Sequence, residues 1–465
     1  MDPKQQKTFI GIILIMVLGA AACCSLTVAI GAFAGYNEAL ETAKAGPPDA
    51  GSRRATAPAP DEEDLPDEDE AAPDEAELRQ QFEADLLAGL ADAGHPDFVF
   101  QPLSFYLTTD GGLLPVKDVF DEYELAEAEE RPELIARSIR GFFPPEIPTS
   151  WSRAKPHVIA TVRDRTTVEV LAIRSQTPLD VLQRPLSEGL VELVVYDGPD
   201  SMQYLNDAQL VSWGVTADEV FLEGRKQLAA RSKEPLEEYA PGVYLSPWAD
   251  HHDIGRALLF ETLRKLKLKG DPVIFLPNHD RLIVTGADDR QGLEAVSDFV
   301  SQVLVLPRAH TGRGWRLTRT GLVPFVPPAD EEILTVLRQE AAAWDANEQK
   351  GALDEKAERE GTDDLFVATT LFTDDDEGRQ RSYCVWTRDA VSLLPHTEFV
   401  VFVDLDRPAP ERVVAAGRWE DVMKRAGKRV TAAEGYWPAR YQVSTFPDSK
   451  TLRAIGLDPA FASEE

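Results

Sequence analysis

The residues able to do chemistry are few and scattered along the chain. His251, His252 and Asp253 stand in a row and are all metal-ligating types. Zinc sites gather their ligands from spaced positions. Adjacent histidines on a helix point about 100° apart, so they do not close on one ion. The triplet reads better as a helix start, with Asp250 as N-cap and Asp253 complementing the helix dipole. Asn278, His279 and Asp280 offer a general acid and base, but Asn and Asp there suit a tight turn between strands. Cys384 sits among Tyr383, Val385 and Trp386, a buried-strand context with no adjacent base to form a thiolate. Gly312 and Gly314 lack the third glycine and the preceding strand of a dinucleotide loop. These patterns assign no catalytic residue, metal ligand or cofactor.

One contrast in charge is more specific. From Phe299 to Ala329 there is no acid, yet Arg308, His310, Arg313, Arg316 and Arg319 are present. In a chain of net charge −32 these five make a basic island. Such an island suits an anion or an acidic partner. The plainer reading docks it on an acidic face of the same molecule. The acidic balance elsewhere repels phosphate backbones, so no nucleic-acid partner is expected.

The remaining sequence says what must position these groups. Residues 9–35 hold no charged side chain and no histidine. Crossing a bilayer takes about 20 apolar residues in a helix. The run exceeds the roughly 7–15 apolar residues of a signal peptide, although Ala32 and Ala34 form a cleavable pattern. Cys23 follows three alanines and lacks the leucine usual before a lipidated cysteine. The run is read as an uncleaved single-pass anchor. Lys4 and Lys7 favour an inside N-terminus and a soluble part outside the cytoplasm. Residues 36–77 are read as a disordered linker rich in Ala and Pro, with eleven acids between Asp61 and Glu77. Cys384 is the one cysteine beyond the apolar run, so the soluble part forms no internal disulfide.

Periodicity then predicts α+β architecture, with mixed sheets and packed helices, in a domain over 78–327 and a helical connector plus C-terminal unit over 328–465. Leu78, Phe82, Leu86 and Leu90 predict a helix. Helices are expected over Val116–Tyr123, Pro132–Phe142, Asp207–Trp213, Ala217–Ala230 with Thr216 as cap, His251–Lys269, Gln291–Leu306 and Glu331–Trp344. Residues 345–363 are highly charged and expected to be exposed. Strands are expected over Phe98–Leu107, His157–Val162, Thr167–Ile173, Leu190–Tyr196 with Met202–Leu205, Val273–Leu276, Arg281–Thr285 and Trp315–Val326. The last unit shows strands near Phe366–Phe372, Ser382–Thr387 and Phe399–Val403, then a helix near Arg418–Ala426. Leu276–Val284 and Leu394–Phe402 share a Leu-Pro, polar, acid, apolar pattern, which raises the question of an internal repeat.

The stretch from Pro185 to Val326 resembles the bacterial YtpQ-like family. Pro185-Leu186-Ser187-Glu188-Gly189-Leu190, Val194-Val195-Tyr196-Asp197 and Tyr204-Leu205-Asn206 carry the likeness. It is clearest from Pro272 through Leu276-Pro277-Asn278-His279-Asp280 to Gly286, where His279 stands in place of the usual Arg. The resemblance implies a cytoplasmic location, opposite to the count of basic residues, and brings no assigned activity. The expectation for function is a membrane-anchored, non-enzymatic interaction or structural module, possessing a protein partner. The alternative is a hydrolase or small-ligand-binding domain with a site assembled from distant residues.

Overall fold

A computed structural model of the chain describes residues 75–462, apart from 103–104, 110–111, 176–179, 200, 329, 363–364 and 409–410. The apolar run 9–35 and nearly all of the linker lie outside the described residues. Among the described residues, no helix is long and apolar enough to cross a membrane.

The first unit comprises α1 (Glu75–Asp92), β1 (Val99–Gln101), β2 (Tyr106–Thr109), β3 (Gly112–Pro115), α2 (Lys117–Leu125) and α3 (Arg131–Phe142). Leu78, Phe82, Leu86 and Leu90 bury one stripe of α1 against Phe120, Tyr123, Ile135 and Ile139. The single strand expected across 98–107 is a meander, with β1 on β2 and β2 on β3. This unit has its own core, so the span 78–327 holds more than one.

The central domain follows with β4 (Val158–Asp164), α4 (Arg165–Arg174), β5 (Gln183–Ser187), β6 (Leu190–Asp197), β7 (Met202–Tyr204), α5 (Asp207–Trp213) and α6 (Ala217–Arg231). It continues with β8 (Glu237–Ala240), β9 (Val243–Leu245), β10 (Pro272–Asn278), β11 (Arg281–Gly286), α7 (Arg290–Val303), β12 (Gly314–Thr318) and β13 (Gly321–Pro324). β4 and β5 flank β6, and β7 also pairs with β6. A second, antiparallel sheet runs β13-β12-β10-β11-β9-β8. Both its faces are covered, which is why β10 is apolar without alternation. Ile274 and Leu276 join the core of β4, β6 and α6, whereas Val273 and Phe275 pack with Leu293, Val296 and Val300 of α7.

Two expected elements are corrected. Thr167–Ile173 is helix α4, not a strand. Its buried Thr166, Val168 and Val170 alternate like a strand face. The Asp164 carboxylate accepts the Thr166 N–H at 2.7 Å and starts a helix instead. His251–Lys269 is not one helix but a short 3₁₀ segment at Ile254–Leu258 and a single turn at Phe260–Leu263. Ala249 and His251 have φ of +45° and +65°, which no right-handed helix accommodates. The buried Arg256 then holds Asp250 at 2.6 Å, so packing on β4 decides the backbone.

Helix α8 (Glu332–Glu360) is continuous over 29 residues. The segment expected to be exposed contributes Asp345, Ala346, Gln349 and Ala352 to the interior. The C-terminal unit comprises β14 (Phe366–Val367), β15 (Leu371–Asp374), β16 (Gln380–Thr387), β17 (Ser392–Pro395), β18 (Phe399–Val403) and β19 (Val413–Arg418). It ends with α9 (Trp419–Ala426), β20 (Val430–Ala433), β21 (Arg440–Val443) and α10 (Ser449–Ile455). Its two sheets, β14-β17-β21-β20 and β15-β16-β18-β19, each hold one parallel pair. The fold is therefore α+β with antiparallel and mixed sheets.

The two Leu-Pro segments differ in pairing. Leu276–Val284 is a hairpin, with Asn278 opposite Arg281. Leu394–Phe402 leaves one sheet at β17 and enters the other at β18. Leu282 and Val400 are both fully buried, but apolar strands share that trait without sharing descent.

Candidate functional site

Helix α8 is fixed to the C-terminal unit by buried polar bonds. Arg440 is fully buried; it donates to Gln349 Oε1 at 2.6 Å and the Ala368 carbonyl at 2.8 Å, and also to the Ala346 carbonyl. Loss of solvent lowers its pKa to about 10. The Asn347 side chain bonds Thr370 through both its amide and its carbonyl, at 3.1 and 2.9 Å. On the other side, Arg174 of α4 meets Glu355 at 3.0 Å. α8 thus spans two domains, and its Ala342–Ala346 turn faces the space between them.

That space is a cavity of about 440 Å³. Trp315 and Phe325 wall it from the central domain, and His396, Trp437 and Tyr441 from the C-terminal unit. Gly189, with φ of +76°, allows the left-handed backbone of the turn after β5. A Cβ there would lie 3.7 Å from Arg313 and 3.8 Å from Trp437. The floor is a buried triad. Arg313 contacts the Asp345 carboxylate and lies 3.7 Å from Asp164. Both acids are 2% exposed. Burial pushes both carboxyls above their usual range, Asp345 to about 7, with the Asp164 charge adding to the shift. One guanidinium between two desolvated carboxyls favours one retained proton.

Several polar groups reach this cavity unspent. The Trp437 indole N–H is buried without an acceptor among the described residues. Arg338 and Glu188 line the cavity, are exposed, and have no charged partner among the described residues. His396 packs on Trp419 at 4.9 Å, and partial burial lowers its pKa from the usual histidine value. Cavities at domain junctions with apolar walls and a few convergent polar groups are the usual form of ligand sites.

The groups whose types could do chemistry are spent on structure. Arg308 holds Asp280 at 2.7 Å and Glu122 at 3.2 Å, and its guanidinium meets His251 Nδ1 at 2.6 Å. Three separate motifs, at 251, 280 and 308, therefore meet in one ion-pair cluster beside the first unit. His252 points elsewhere, 3.6 Å from Asp197. Asn278 accepts the Asp280 N–H at 2.9 Å and shapes the hairpin turn. His310 accepts the Asp164 N–H at 3.0 Å and donates from Nδ1 to the Leu276 carbonyl at 3.0 Å. Its burial lowers its pKa to about 4, which keeps it neutral. Arg316 pairs with Asp271 at 2.7 Å, and Arg319 is exposed at the β12–β13 turn. The five residues of the basic island thus spread over separate sites, and Arg313 alone of them lines the cavity. Burial pushes the Cys384 thiol up to about 12. A Cβ on Gly314 would lie 2.8 Å from the Phe275 ring, so that glycine serves packing.

Sequence reasoning missed Asp345, Arg338, Trp437 and Tyr441. Asp345 lay in a stretch dominated by charge. The one usable signal was the aromatic pair Tyr436-Trp437 before Pro438 in a polar loop. No protein family model, curated protein or solved structure matches this chain.

Proposed function

We propose that this chain is a membrane-tethered, non-enzymatic binding module whose recognition site is the cavity between the central domain and the C-terminal unit. The membrane tether rests on the composition of residues 9–35, and the YtpQ-like relationship of 185–326 belongs to the same proposal. The observation that carries the binding role is the set of unspent polar groups on an aromatic-walled cavity. The non-enzymatic part is supported by His310, which is engaged in two backbone bonds with its pKa lowered to about 4, and by Cys384, whose buried thiol is pushed up to about 12.

The test is a ligand-observed NMR screen of the full-length protein in nanodiscs. Ligands are expected whose binding disappears in Trp437→Ala and which persist chemically unchanged on long incubation. A ligand consumed at the cavity would make the protein an enzyme. A screen in which Trp437→Ala changes nothing would remove the cavity from the reading.

A further inference from the structure

The cavity carries two opposite charges that have no charged partner among the described residues. Arg338 projects from α8, and Glu188 from the turn between β5 and β6. Arg308, Arg313 and Arg316 each end on a carboxylate of the same chain. The floor triad is likewise closed on itself, since Arg313 is taken up by Asp345 and Asp164. Among the described residues, the free charges at this site are therefore one cation and one anion, both exposed.

Between them the walls are rings. Trp315 is fully buried behind the wall and spends its N–H on the Glu188 carbonyl at 3.1 Å. Trp437 has one face under Arg165, whose guanidinium stands 4.7 Å from the ring, and its buried N–H awaits an acceptor. Aromatic walls select a planar ring through edge and offset contacts. A volume of about 440 Å³ suits a small molecule rather than a folded partner.

We infer that the cavity binds a small aromatic zwitterion, an aromatic α-amino acid or close analogue. This rests on the cavity being the binding site proposed above. The ring lies between Trp437 and Tyr441. The carboxylate pairs with Arg338 and the ammonium with Glu188, which turns two unpaired rim charges into two charge-assisted hydrogen bonds. A neutral, internally paired floor leaves those rim charges to set the ligand's orientation.

Calorimetric titration of the full-length protein in nanodiscs tests this with L-tryptophan, indole-3-propionate, tryptamine and L-leucine. L-tryptophan is expected to bind tightest, and L-leucine at least about tenfold more weakly. Arg338→Ala should weaken L-tryptophan and indole-3-propionate by about tenfold and leave tryptamine unchanged. Glu188→Ala should weaken L-tryptophan and tryptamine and leave indole-3-propionate unchanged. Both side chains are exposed, so unchanged melting curves will verify that each variant folds. Equal binding of L-leucine, or variants that affect all ligands alike, overturns the assignment. If none of the four binds while the screen still finds Trp437-dependent ligands, the zwitterion falls and the cavity reading stands. If Trp437→Ala is silent in both experiments, both fall.

Discussion

Asp345 shows how one buried carboxyl makes stability depend on pH. Its folded-state pKa is raised to about 7, above the unfolded value near 3.9. The stability it contributes is thus fully present below about pH 4 and lost as pH rises towards 7. Asp250 shifts the other way, to about 2. Its contribution is complete above about pH 4 and constant across the same window. Urea unfolding midpoints between pH 4.5 and 8.5 should therefore fall with rising pH more steeply in the wild type than in Asp345→Asn. Parallel profiles would show that Arg313 holds both carboxylates ionised. None of this was legible at the residue level of the sequence. Asp345 looks like any acid in a charged stretch until folding removes its water.

At the scale of elements, local chemistry and packing compete openly. Thr216 and Glu219 form a reciprocal cap that starts α6 where the sequence expects it. The same helix carries Gly224, a residue that costs about 1 kcal/mol against Ala in an isolated helix. A Cβ there would lie 2.8 Å from the Ala160 backbone nitrogen and 3.2 Å from the Ile159 carbonyl carbon. Backbone cannot step aside, and overpacking costs about 1–3 kcal/mol. Gly224→Ala is therefore expected to destabilise by about 1–2 kcal/mol in thermal or urea unfolding, the net of these terms. A more stable variant would show that α6 can lift from β4. α8 teaches the same lesson in reverse. Its inner turns read as solvated because charged residues surround them. Asp345, Ala346, Gln349 and Ala352 nevertheless share a buried stripe, because the helix has neighbours on both sides.

For the whole molecule, the expectation to test is the membrane tether proposed for residues 9–35. Deleting residues 1–40 is expected to release the rest of the chain from membranes, since the proposed tether lies there and among the described residues no helix is long and apolar enough to span. Retention of the truncated protein on membranes after a high-salt wash would reveal a second, amphipathic attachment. The tether expectation itself comes from composition alone. So do the α+β class and most strands and helices of the central and C-terminal units, because alternation, 3.6-residue stripes and caps are short-range properties. Tertiary structure decided three things that short-range pattern cannot carry. It broke 251–269, where one buried arginine outweighed the local periodicity. It drew Leu276–Val284 into a hairpin and stretched Leu394–Phe402 between sheets, although their residue patterns agree. It also assembled the cavity from Glu188, Arg313, Arg338 and Trp437, residues far apart in sequence that come together only when α8 packs against both domains.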